Sequence, residues 1–468
     1  MVFSLPARYR SFLPRFYRLA FVGILSNMMI PLAGLVDSAF LGHLENINYL
    51  AGVILGGILF DYLYRILKFL RNSTNSLTAN AVGKDDQTDV LVVILRCGLM
   101  ALAIAAVMLL FQYPIHRFGF ALLSGSPEME MAGLDYFNAR IWGAPAVLLN
   151  FVVIGWFLGR EMNWIVFLMS FVGNGSNVLF DYLMIVQWGW ESTGAGLATA
   201  ISQYLALFIG LGAISLTTKW QFLKAAWSRL FEGNDLSQTL ALKGNMLIRY
   251  FSWISSYAIF TNLSASFGTE LLAENGLLLQ IVLLSQFTVQ GVGMTSQTLI
   301  GNFKGQNQTK KILAVLKVAL ITGLAIALSF ALMTVCFPDT IFKILTNHAD
   351  VTQMMQRLAI WLIPLLSLNA IAFMLESYFS GIKDGVTLRN GALLGFIFGF
   401  LPLTYFANYY QSENLLWAAL TGYMATVVLY LFSKLLRVNT SPISNTTKRS
   451  NGQISTAQIS AVLTAGND

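Results

Sequence analysis

Charged residues are scarce in this sequence, where Asp, Glu, Lys and Arg make up 11% of the 468 positions. A soluble chain of this length usually forms two or three domains, each with a charged surface. The charged residues of this chain are too few to form the surface of even one such domain. Residues 90–111 and 312–337 are instead apolar runs, each long enough to cross a hydrocarbon core of roughly 30 Å. We therefore expect lipid to cover much of the surface of this chain.

Cysteine and histidine are also rare, with two and three residues respectively. Cys97 and Cys336 both lie in apolar runs, where they offer neither a disulfide framework nor metal-ligand spacing, and the histidines are not clustered. We therefore expect no structural metal and no metalloenzyme site. The alternating pattern of a transmembrane β-barrel is absent as well, which predicts helical spans.

Twelve apolar segments predict transmembrane helices in an all-α membrane protein. Their ranges are 19–41, 49–72, 90–112, 134–158, 163–186, 194–217, 247–268, 276–300, 312–337, 358–380, 388–409 and 415–437. Residues 1–18 precede them as a basic lead, and residues 438–468 follow as a polar tail that is predicted to be disordered. A loop at 219–246 separates six spans in 19–218 from six spans in 247–437.

Positive charge is distributed unevenly between the loops. Lys and Arg concentrate before the first span, in the loop at 219–246 and after the last span, whereas the loops on the opposite side are nearly free of them. Such a bias predicts that both termini are cytoplasmic in a multi-pass protein of the cell inner (plasma) membrane. It also accounts for the net charge of +7 without a nucleic-acid partner.

The two halves of the sequence resemble each other. At an offset of 222 positions, the residues that recur are Ala51, Leu55, Leu77, Asn80 and Gly83, as Ala273, Leu277, Leu299, Asn302 and Gly305. A parallel repeat of six spans predicts two six-helix lobes, related by a pseudo-two-fold axis along the membrane normal. The substrate path of such a secondary transporter lies between the lobes.

The first span contains an ionisable residue, Asp37. Placing a charged side chain at the bilayer centre costs at least about 2.5 kcal/mol of free energy, so such a residue usually has a functional or structural role. Pro31, six residues earlier, cannot donate to the carbonyl of Asn27, which predicts a bend beside the acid. The carboxyl could exchange a proton as a cavity changes sides, or it could be hydrogen-bonded for packing alone.

The fifth span carries Asn174, Asn177 and Asp181 on one helix face, at spacings of three and four. An amide beside a carboxylate supplies both a donor and an acceptor, which suits a site that exchanges protons or sodium ions. Alternatively, Gly173 and Gly175 permit close helix packing, and the asparagines bond across helices to hold that packing together.

Polar residues of other spans offer two more features. Asp61, Arg65, Lys68 and Arg71 form one face of the second span, which lines a water-filled cavity unless Lys68 and Arg71 extend to the membrane interface. In the second half, Glu376 lies near the end of the tenth span. Glu274 falls at a predicted loop, where solvation explains it.

Several motifs together resemble the multidrug and toxic compound extrusion (MATE) transporters, and among them the DinF-type branch. The motifs are PLAGLVDSAFLGHL in the first span, FLRNSTNSLTANAVGKDD after the second, WGAPAVLL in the fourth, NVLFDYLMI in the fifth and GAGLATAISQ in the sixth. This resemblance covers about residues 19 to 437. It implies an antiporter, in which an organic and often cationic compound leaves while protons or sodium ions enter.

The resemblance also implies roles for individual residues. It maps the coupling site for protons or Na⁺ onto Asp37, Asn177 and Asp181, with Tyr136 and Thr199 as supporting residues. It implies no cofactor beyond the ion gradient.

The sequence departs from the DinF-type pattern at several positions. Small or neutral residues are usual where this chain has Asp61, Arg65 and Lys68, and acidic positions of the eighth span are Gln290 and Gln297. The usual LDG of the tenth span reads Leu375-Glu376-Ser377. Candidate substrate-cavity residues are thus Asp61, Arg65, Lys68, Asn174 and Glu376. The added cations favour an organic anion.

Two alternatives to a drug or metabolite exporter stay open at this stage. A lipid-precursor flippase of the same superfamily also has two six-helix halves, but those proteins usually carry further spans. A membrane-embedded lipid-processing enzyme needs a polar catalytic cluster, which the loop at 219–246 does not offer. For the exporter we expect three partners, namely a small organic substrate, H⁺ or Na⁺, and the bilayer. We also expect it to be monomeric.

Overall fold

The computed structural model describes residues 12–42, 47–121, 127–230, 233–338, 341 and 356–440. Within these ranges the chain forms helices and short turns and contains no β-strand, which confirms the predicted all-α class. Eight stretches of the described chain are long and apolar enough to cross a membrane. Each of the twelve predicted spans falls on a helix or a pair of helices, and we keep their ordinal names below.

The first six spans form one lobe. Their helices are Leu13–Gly42, Ile47–Leu67 with Phe69–Gly83, Gln87–Leu110, Pro127–Arg140 with Ala144–Gly159, Asn163–Asp181, and Glu191–Thr217. A surface helix, Gln112–Ala121, joins the third span to the fourth. The fourth span contains a 3₁₀ turn at Ile141–Gly143, immediately before the helix that carries Pro145.

The last six spans form the second lobe. Their helices are Gly233–Phe267, Thr269–Gly305, Thr309–Cys336, Leu362–Gly381, Gly385–Leu394 with Leu401–Tyr410, and Glu413–Thr440. The tenth span repeats the irregularity of the fourth, because a 3₁₀ turn at Ala359–Trp361 precedes the helix that carries Pro364. In both spans the turn contains an Ile-Trp pair of the sequence repeat.

Backbone geometry follows the sequence repeat closely. The second and eighth spans end at Gly83 and Gly305, which are 222 positions apart. At the same offset, Asp85 and Asn307 both adopt left-handed backbone angles, with φ of 58° and 57°. Non-glycine residues rarely adopt this conformation, so its recurrence at equivalent turns supports two copies of one fold.

The two lobes approach each other most closely where the second and eighth spans cross. A Cβ atom built on Gly83 would lie 2.2 Å from the carbonyl oxygen of Asn302, and one built on Gly305 would lie 2.5 Å from that of Asn80. Both distances are far inside van der Waals contact, so only glycine permits this crossing. Backbone thus packs on backbone at one end of the interface between the lobes.

The structure differs from the sequence prediction at two loops. The segment 219–246 is largely helical, with a short helix at Leu223–Ser228 and the seventh span beginning at Gly233. The seventh and eighth spans are separated by one residue, Gly268, whose φ of 142° reverses the chain. The eighth span therefore starts early enough to include Glu274, which is fully buried rather than solvated. Residues 1–11 and 441–468 of the predicted lead and tail lie outside the described residues.

Candidate functional site

A cavity of about 440 Å³ lies in the first lobe and reaches the interface with the second. Its walls come from spans one, two, four, five and six, and Phe287 of the eighth span closes one side. Seven residues selected from the sequence line it: Asp61, Arg65, Lys68, Tyr136, Asn174, Asn177 and Thr199. The structure thus brings residues from four different spans to one cavity.

Asn177 and Asp181 form a buried pair behind the cavity wall. The Nδ2 of Asn177 donates a hydrogen bond of 2.9 Å to an Oδ atom of Asp181. Asp181 is only 1% exposed and is not among the residues that line the cavity, whereas Asn177 lines it. A π-helical turn, Tyr182–Gln187, follows directly after Asp181, and such turns are frequent at functional sites.

The other residues predicted for coupling take different positions. Tyr136 is buried and accepts a hydrogen bond from Arg140, whereas the Thr199 hydroxyl donates to the Ala195 carbonyl at 3.0 Å. Asn174 turns back to donate to the carbonyl of Ser170 at 2.7 Å. The backbone of Asp37 belongs to the first helix, and its side chain lies outside the described residues.

Arg140 is a cavity residue that sequence reasoning missed. Its guanidinium lies over the rings of Phe60 and Tyr136, with distances to the ring centroids of 4.8 Å and 5.4 Å. These are cation–π contacts that hold a charge against an aromatic wall. The sequence could have indicated this residue, because Arg140 lies inside a predicted span and ionisable residues within spans usually have a functional role.

The basic face of the second span turns toward the second lobe. Lys68 and Arg71 both donate to the same oxygen, the Oε1 of Gln290 on the eighth span, at 3.1 Å and 3.4 Å. Lys68 sits at the break between the two helices of the second span. It lines the cavity, together with Arg65 and Arg71 of the same face.

Asp61 and Arg65, which precede Lys68 on the second span, form an ion pair with a distance of 3.1 Å. Their side chains are 60% and 37% exposed, so the pair faces the open part of the cavity.

A second, smaller pocket of about 60 Å³ lies between the lobes, against spans seven, eight, ten and twelve. Glu376 lines it, as the sequence predicted, and pairs through both carboxylate oxygens with Arg249 of the seventh span. Arg249 was missed, although it too is a charge within a predicted span. The Arg249 and Glu376 side chains are 9% and 15% exposed, so this ion pair is buried.

Positive charge exceeds negative charge along these two cavities. Among the described residues that line them, the cations are Arg65, Lys68, Arg71, Arg140 and Arg249. The acids of the same lining are Asp61 and Glu376, and each is paired with one of those cations. Lys68 donates to a neutral amide, so its charge is not compensated by a direct ion pair among the described residues.

Comparison with known proteins gives a consistent result. A family model described as MatE matches residues 23–183 and, a second time, residues 246–406. DNA damage-inducible protein F of Escherichia coli is 28% identical over 417 residues, which cover 87% of this chain and 89% of that protein. Multidrug resistance protein NorM of Vibrio cholerae is 22% identical over 287 residues, covering 59% of this chain and 62% of that protein.

Two solved structures share the fold. One is described as the outward-facing conformation of a multidrug resistance MATE family transporter, with a TM-score of 0.80 and 17% identity, covering 91% of this chain and 95% of that chain. The other is a transporter from Pyrococcus furiosus, described as having a binding pocket of reverse polarity that suggests a different function. It has a TM-score of 0.81 at 17% identity, with the same coverage of 91% and 95%.

Proposed function

Because this chain belongs to the MatE family of multidrug efflux transporters, we propose that it is a secondary active antiporter, which exports an organic compound in exchange for protons or sodium ions. Transporters of this family are not enzymes. The observation that carries the proposal is the buried Asn177–Asp181 pair beside the cavity of the first lobe, which reaches the interface with the second lobe.

The position of this pair suits ion coupling. Asp181 is buried and bonded to Asn177, which lines the cavity, so an ion that arrives from the cavity meets the amide beside the carboxylate. A buried carboxylate needs a proton, a cation or hydrogen bonds to be stable, and an incoming ion supplies this compensation. Asp37 completes the proposed site from the first span.

Alternating access requires an interface that opens and closes. The backbone contact at Gly83 and Gly305 closes one end of the space between the lobes, whereas the cavities lie farther along the same interface. Rocking of one lobe against the other would expose the cavities on either side in turn. Substrate-stimulated flux of protons or sodium ions in proteoliposomes tests the antiport and identifies the ion.

The orientation predicted from Lys and Arg can be tested by cysteine labelling. In a background with Cys97→Ala and Cys336→Ser, we expect a cysteine at Gln187 to react with an impermeant maleimide added to intact cells, because the positive-inside bias places this turn outside. A cysteine at Ser228, in the segment between the lobes, should react only after lysis. Both native residues are exposed, so access to the reagent depends on the membrane side. The opposite pattern would reverse the topology.

The charge of the cavities supports an anionic or zwitterionic substrate. Arg65 and Lys68 line both cavities, and a cationic compound there would be repelled more strongly than at an exposed surface. The reverse polarity described for the Pyrococcus furiosus protein concerns that protein. In this chain, a preference for anionic substrates is supported by the cations that line the two cavities.

Replacing Arg65 and Lys68 together with glutamine removes two charges and keeps long polar side chains. We expect uptake by inverted vesicles to shift from organic anions toward lipophilic cations such as ethidium, with a change of at least about tenfold in the preference, or about 1.4 kcal/mol. A matched control is Arg117→Gln with Lys224→Gln, which removes two exposed charges outside both cavities. Equal preference in the wild type and the cavity variant would show that these charges do not select the substrate.

A further inference from the structure

The smaller pocket contains a buried amide without a partner. Asn369 of the tenth span is 2% exposed and lines the pocket, and neither its Oδ1 nor its Nδ2 has a hydrogen-bond partner among the described residues. Buried polar groups are nearly always hydrogen-bonded, and an orphaned one loses its hydration without compensation. Asn369 therefore needs a partner that donates and accepts at once.

The neighbouring polar groups of the pocket bond to each other or to other residues, and none of them bonds to Asn369. Arg249 and Glu376 satisfy each other through two hydrogen bonds. Gln286 donates to the hydroxyl of Tyr257 at 2.8 Å, and Gln290 accepts from Lys68. The partner of Asn369 must come from outside this set.

The rest of the lining indicates what the partner carries. Asn369, Phe373 and Glu376 lie at spacings of four and three on one face of the tenth span, so about 10 Å separates the two ends of this row along the helix axis. Phe373, together with Trp253 and Phe287, gives the middle of the pocket an aromatic wall. Lys68 supplies a cation without an acidic partner in the described part of the chain.

We propose that this pocket binds an aromatic carboxylate that contains a cyclic secondary amide (a lactam), with the lactam on Asn369, the ring system against the aromatic wall and the carboxylate toward Lys68. The inference rests on the proposed export of organic anions and names their chemical class. A lactam holds its N–H and its carbonyl on the same side, so the two groups can pair with the free Oδ1 and Nδ2 of Asn369 at once. A site built to hydrogen-bond a ligand rejects an analogue that lacks the matching groups.

Two probes of equal charge and similar shape test the proposal: 2-oxo-1,2-dihydroquinoline-6-carboxylate, which has the cyclic amide, and naphthalene-2-carboxylate, which lacks it. Binding to the purified full-length protein in detergent is measured by calorimetry, without any ion gradient. We expect the wild type to bind the amide probe at least tenfold more tightly. Asn369→Leu should bind both probes equally, and Asn163→Leu, which alters a buried asparagine outside both cavities, should keep the preference.

Equal affinity of the two probes for the wild type would overturn the inference, and would mean that water satisfies Asn369. A preference of Asn369→Leu for the amide probe would also overturn the inference, because residues other than Asn369 would then recognise the amide. The wild-type comparison stands even when a variant does not fold. Preferential binding without transport in proteoliposomes would contradict the proposed antiport and leave the binding site intact, so the two failures are distinguishable.

Discussion

Coupled export is expected to fall to background, by at least about tenfold, when Asp37 and Asp181 are both changed to asparagine. Asparagine keeps the shape of aspartate but carries no charge and takes up no proton, so neither ion can be exchanged at the site. Asp181→Asn alone should weaken the dependence on the driving ion, because Asn177 would then face a neutral amide. Substrate efflux from proteoliposomes, driven by a pH or a sodium gradient, measures the effect.

The control for this experiment is Asp135→Asn, which neutralises an exposed acid at the start of the fourth span. It should export at the wild-type rate. Protein in the membrane and the unfolding temperature in detergent are measured for every variant, so that lost coupling is separated from lost protein. Full gradient-driven export by the double variant would rule out the proposed coupling site.

A large loss of stability is expected when Arg249 is changed to glutamine. The substitution leaves Glu376 charged and buried without its partner, and breaking a buried ion pair in this way costs about 3–5 kcal/mol. Replacing both residues with methionine should restore most of the stability, because two apolar side chains leave no buried charge. Thermal unfolding in detergent at constant pH measures all three proteins.

The Asp61–Arg65 pair offers a matched comparison in the same protein. Its side chains are 60% and 37% exposed, and ion pairs of this kind contribute only about 0–1 kcal/mol. Arg65→Gln should therefore change the unfolding temperature far less than Arg249→Gln. Similar effects of the two single substitutions would show that burial of the Arg249–Glu376 pair does not govern stability.

Helices and their repetition could be predicted from the sequence because both depend on local pattern. Apolar length identifies a span, and the common offset of 222 identifies Gly83 and Gly305 as equivalent positions of the two halves. The Asn177–Asp181 pair was predictable for the same reason, since a spacing of four brings two side chains together on any helix. The roles proposed for these residues in coupling stay predictions.

Contacts between distant segments could not be predicted in this way. Arg249 and Glu376 are 127 residues apart, and only the packing of the seventh span on the tenth makes them partners. Glu274 was assigned to a loop because the turn between the seventh and eighth spans was expected to be longer. A single glycine makes that turn, which draws the acid into the lobe.

Lys68 and Arg71 of the second span bond to the eighth span through one shared oxygen beside the cavities. Lys68 and Arg71 both donate to the Oε1 of Gln290, which is a neutral acceptor. A neutral acceptor binds a cation less strongly than a carboxylate does. A carboxylate has two stronger acceptor oxygens and would take over both bonds on arrival. The ligand would then replace these two hydrogen bonds between the lobes, whereas those of Gln297 and Thr298 with Ser76 and Asn75 would remain.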